Sequence, residues 1–68
     1  MSDMVIGEKM GGFVVLTDEE GLRHAVKSGA VLALSDADET GRDTVMQLTG
    51  NRVLTIRQPI ENVLAWFR

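Results

Sequence analysis

The sequence predicts an α+β protein: a small antiparallel four-stranded β-meander closed by one C-terminal helix. Three observations carry this. β-rich runs of strand length recur along the chain, Gly50-Asn51 separates two of them, and Gln58-Pro59 divides the last run from an apolar stripe at helical spacing.

The chain opens with MSDMVIGEKMGG, which is rich in Gly and Met and has no period. Residues 1–12 read as a flexible tail, and residues 13–68 as a single small domain. Gly7, Gly11 and Gly12 lack the strand–loop–helix setting and the Lys-Ser/Thr pair that a phosphate-binding loop needs.

Phe13-Val14-Val15-Leu16-Thr17 is the first strand, and the acidic DEEG stretch from Asp18 to Gly21 is its turn. Leu22 to Val26 fits a second strand. A helix starting in EEGLRHAV is the alternative, but Gly21 and Gly29 weigh against it. Ala30-Val31-Leu32-Ala33-Leu34 is a continuous apolar run of strand length, and Ser35 to Asp43 is a polar loop. Thr44 to Thr49 and Arg52 to Arg57 alternate and are β-rich. Gly-Asn between them predicts a hairpin, because both residues tolerate positive φ. Pro59 ends the last strand and suits the first turn of a helix, and Glu61 falls near its third position. Ile60, Val63, Leu64 and Phe67 then form one apolar face.

A single helix covers only one side of such a sheet. The strands nevertheless carry apolar residues at both parities: Val14 and Leu16 against Phe13 and Val15, Leu32 and Leu34 against Val31 and Ala33, Val53 against Leu54 and Ile56. Either the sheet curls towards a barrel, or a second copy or another protein buries its other face. Self-association is the preferred outcome for a chain of 68 residues, whose own core is small.

Composition narrows the function. With no Cys there is neither disulfide nor thiolate metal site, and one His falls short of a zinc ligand set. No run reaches the length of a membrane span and no signal-peptide pattern opens the chain, so no membrane insertion and a cytoplasmic location are expected. A net charge of −3 argues against a general nucleic-acid binder, which needs cations for phosphate.

DADETGRD starts like a calcium loop at Asp36, Asp38, Thr40 and Gly41, but its twelfth position is Gln47 rather than a bidentate Glu. It reads as a solvated acidic loop. His24 has no nucleophile motif beside it and reads as an edge-strand residue. Neither catalytic residues, cofactor nor metal are therefore assigned, and no small-molecule substrate is evident. Trp66 lies beside the helical stripe and either finishes the core or anchors an interface. Trp66, Phe67, Arg57 and Arg68 are the interface candidates.

The order of elements resembles the small flagellar FlbD-like (SwrD) family. The matching residues are Val15-Leu16-Thr17, Gly21, Ala30 to Leu34, Thr44-Val45, Leu48-Thr49-Gly50, Val53, Ile56-Arg57 and Val63. Gln58-Pro59 departs from that family's acidic-Ser helix start, and the Gly-rich N-terminus is an addition. The resemblance implies a meander-plus-helix fold and a non-enzymatic accessory role, with no catalytic residue to carry over. The expected function is a small, non-enzymatic protein–protein interaction or regulatory module that self-associates. The alternative is a nucleic-acid-linked regulator using Arg42, Arg52 and Arg57 on one sheet face.

Overall fold

The structure is a computed structural model that describes residues 9–67. Its elements are β1 (Lys9–Met10), β2 (Phe13–Thr17), β3 (Arg23–Lys27), a 3-10 turn (Ser28–Ala30), β4 (Val31–Asp36), β5 (Thr44–Leu48), β6 (Arg52–Ile56) and α1 (Ile60–Trp66). The α+β class and the C-terminal helix stand as expected. The single four-stranded meander does not.

The strands form two three-stranded antiparallel sheets, β1-β2-β3 and β4-β5-β6. All five strand-like runs make strands, one more than the expected four-stranded meander holds, and Lys9–Met10 adds a short one against Phe13 and Val14. The division has a local cause. Ser28-Gly29-Ala30 takes up a 3-10 turn after β3, so the chain leaves the first sheet instead of folding back as its next hairpin. The expected tail therefore contributes β1 and its Gly11-Gly12 turn, in which both glycines have positive φ. Residues 1–8 of that tail lie outside the described residues.

The hairpin β2–β3 pairs Val14 with Val26 and Leu16 with His24. In the second sheet Leu34, Met46 and Leu54 stand in one row, and Asp36, Thr44 and Ile56 in the next. One core joins the two sheets and the helix: Val14, Leu16 and Val26 meet Met46, Leu48, Leu54, Ile56 and Val63. Each sheet thus covers the inner face of the other, work that the sequence reading left to curling or to a partner. Burying these side chains is the main favourable term in folding.

Backbone and side-chain bonds hold the layers in register. The Glu19 amide donates to the Thr55 carbonyl at 2.9 Å, clasping the β2–β3 turn to β6. Thr44 is fully buried, and its hydroxyl donates to the Gln58 carbonyl at 2.8 Å, tying β5 to the segment that enters the helix. Gly50 (φ 79°) and Asn51 (φ 60°) are both left-handed, as their residue types suggest. The loop is nevertheless one residue longer than expected. Leu48 pairs directly with Arg52, and Thr49 leaves the strand to donate its amide to the Ala30 carbonyl.

Helix α1 starts one residue later than expected. Pro59 is its N-cap rather than part of its first turn, which puts Glu61 at the second helical position. The buried face is also rotated. Val63 is completely buried, whereas Leu64 is 54% exposed. Trp66 takes the inward position and packs with Phe67 against the core. Ile60, Val63 and Phe67 of the expected stripe stay on the inward side, and Trp66 takes the place of Leu64, because a seven-residue helix meets the sheets along barely two turns.

Candidate interaction surface

The expected interface residues do not form one patch. Trp66 and Phe67 are half-buried core residues. Phe67 also lines a shallow recess with Lys9, Gly12, Val14 and Ser28. Arg57 is exposed and lines a different recess with Thr17, Asp18, Glu19 and Gln58. Arg68 lies outside the described residues. The three arginines of the nucleic-acid alternative are scattered too. Arg42 sits beside Asp38 in the β4–β5 loop, Arg52 borders Lys27 and Phe13, and Arg57 faces the acidic β2–β3 turn.

A coherent apolar surface exists elsewhere, on the outer face of β4-β5-β6. Alternation along each strand sends Ala33, Gln47 and Val53 outward in one row, and Ser35, Val45 and Thr55 in the next. A bulge between Val31 and Ala33 inserts Leu32 as an extra residue on this surface. Leu32 is 66% exposed and Val53 is 59% exposed, and both line one recess with Gln47, Asn51 and Arg52. This recess continues past Leu48 and Arg52 into a second, lined by Phe13, Ala25, Lys27 and Ala30. The Lys27 ammonium stands 5.1 Å from the Phe13 ring centroid, holding the exposed aromatic by a cation–π contact.

Polar chemistry gathers at two turns. In the β2–β3 turn His24 Nε2 lies 2.8 Å from Asp18 Oδ2, while Asp18 Oδ1 accepts the amides of Glu20 and Leu22 at 2.9 and 3.0 Å. The hydrogen bond with His24 comes first in holding the Asp18 carboxyl below its ordinary range, and the two amides act in the same direction. Every partner of Asp18 belongs to its own hairpin, so the pair fixes the turn. In the β4–β5 loop Asp38 Oδ1 accepts the Thr40 amide at 2.9 Å and the Thr40 hydroxyl at 2.6 Å, and these bonds lower its pKa. The carboxylate that resembled a calcium ligand is committed to its own loop. Among the described residues no group of three His, Cys, Asp or Glu side chains stands together to hold a metal ion.

No helix among the described residues is long and apolar enough to cross a membrane. No family model, curated protein or solved structure matches the chain.

The outer face was half legible in sequence. Counting apolar parity predicted that a second sheet face would carry apolar residues, but it set Leu32 beside Leu34 and singled out neither Leu32 nor Val53. Their prominence depends on the bulge and on the way the other sheet covers only the inner side, and neither has a local sequence signal.

Proposed function

We propose that this chain is a small non-enzymatic interaction module that associates with a second copy of itself through the β4-β5-β6 sheet. The observation that carries this reading is the pair Leu32 and Val53, exposed together in one recess on the outer face of the second sheet. Exposed apolar side chains gathered on one sheet face are costly in water and gain free energy when another surface covers them. The neighbouring Gln47, Asn51 and Arg52 provide the polar border that interfaces of this kind use. The resemblance of residues 13–67 to the flagellar FlbD-like family supports the same class of function, an accessory protein acting by contact.

The test is sedimentation equilibrium across the micromolar range on the wild-type chain and on Leu32→Lys and Val53→Lys. Concentration-dependent association of the wild type, weakened in Leu32→Lys while its circular dichroism is unchanged, is the expected result, and Val53→Lys, on β6, tells whether the cover extends across the whole face. A wild-type chain that sediments as a monomer throughout overturns the proposal.

A further inference from the structure

We infer that two copies join edge to edge through β4, making one continuous six-stranded antiparallel sheet; this rests on the self-association proposed above and specifies its geometry. The inference comes from following the backbone groups of β4. The Ala37 amide donates to the Asp43 carbonyl, in the same register that pairs Asp36 with Thr44. Antiparallel pairs alternate between hydrogen-bonded and non-hydrogen-bonded positions. Ser35 and Ala33 therefore exchange bonds with β5, whereas the N–H and C=O groups of Leu34 and Asp36 point away from it. Beyond the bulge, the Thr49 amide donates to the Ala30 carbonyl, so Val31 is again an outward position. Its amide is already bonded to the Ser28 carbonyl, and among the described residues the Val31 carbonyl has no backbone partner.

The other sheet edges are less suited to pairing. β1 spans two of the described residues. β3 reads RHAVK, and Arg23 and Lys27 at its two ends oppose antiparallel pairing with a copy of the same strand. β6 has its Thr55 carbonyl taken by Glu19. β4 reads VLALSD, is the longest strand, and carries one charge at its end.

The spacing of outward groups matches β4 to itself. The bulge absorbs one residue, so Val31 and Asp36 stand equally far from Leu34 along the edge. A two-fold axis through Leu34 lets the two Leu34 residues exchange both of their bonds, and each Asp36 amide then meets the partner's Val31 carbonyl. Charge selects this register. Strand rise of about 3.3 Å per residue places the two Asp36 carboxylates roughly 13 Å apart along the seam, beyond the ~8 Å Debye length. An axis through Ser35 brings them within about 7 Å along the seam, as diagonal neighbours on one face. In the favoured register Leu32 lies at the seam on the outer face, where the partner shelters it.

The experiment is residue-resolved amide hydrogen exchange on the wild-type chain at low and high protein concentration, with sedimentation run in parallel. Exchange at Leu34 and Asp36 is expected to slow by tenfold or more as the chain associates, roughly the effect of one or two hydrogen bonds. Ala33 and Ser35, already bonded to β5, are expected to change little. Asp36→Pro removes one outward donor and is expected to weaken association by about tenfold with the fold retained. Association with Leu34 and Asp36 still exchanging freely overturns the β4 seam but leaves self-association standing. A monomer at every concentration overturns both. Should Asp36→Pro fail to fold, the wild-type exchange comparison decides alone.

Discussion

Thr44 shows how much a single side chain can hold. Among the described residues it is the one fully buried polar side chain, and its hydroxyl satisfies the Gln58 carbonyl at the point where β6 gives way to the helix. Thr44→Val keeps the shape and removes the donor. It is expected to cost about 1 kcal/mol, read as a lower urea midpoint at unchanged m-value. Asp18 acts through its charge. Its carboxyl is depressed in the folded chain, so its contribution is fully present above the unfolded value of about 3.9 and is lost as pH falls through the lower folded value. Wild type is therefore expected to lose more stability than Asp18→Asn between neutral pH and about pH 3, in denaturant titrations at each pH. Equal slopes for the two proteins would falsify the assignment. The sequence marked Asp18 only as part of an acidic turn. Its partner His24 stands six residues away, and only the hairpin register brings them together.

Element by element, the chain was easiest to read where backbone chemistry is local. Gly50-Asn51 gave the hairpin because positive φ is a property of those residues themselves, and Pro59 gave the helix start within one residue. Facing was harder. Ile60, Val63, Leu64 and Phe67 satisfy helical spacing as well as Ile60, Val63 and Trp66 do, and only the position of the sheets chooses between them. The rotated face makes a direct prediction. Val63→Ala and Trp66→Ala are each expected to cost about 2 kcal/mol of folding stability, while Leu64→Lys changes it by less than about 0.5 kcal/mol. Thermal or urea unfolding of the three variants checks the order. A Leu64 variant as damaged as Val63→Ala would restore the stripe read from spacing. Sheet membership was the least legible feature. Strand-forming residues announce strands, but the 3-10 turn at Ser28-Gly29-Ala30, which parts one sheet into two, uses residues common in any loop.

For the molecule as a whole, the clasp between Glu19 and Thr55 has a consequence for how the chain reaches its folded state. Within each sheet every strand pairs with its neighbour in sequence, so both meanders close short loops and can form early. The clasp, with the contacts of Val14, Leu16 and Val26 across the core, joins segments far apart in the chain. Docking one preformed meander onto the other is then the slow event, and the clasp belongs to its far side. Leu16→Ala is expected to act mainly by speeding unfolding in stopped-flow chevrons, and a substitution in the Gly50-Asn51 turn mainly by slowing folding. On that order of events, a form whose second meander is complete but whose inner face is bare is expected between them. How briefly that form lasts sets how well the protein avoids sticking to its neighbours while it folds.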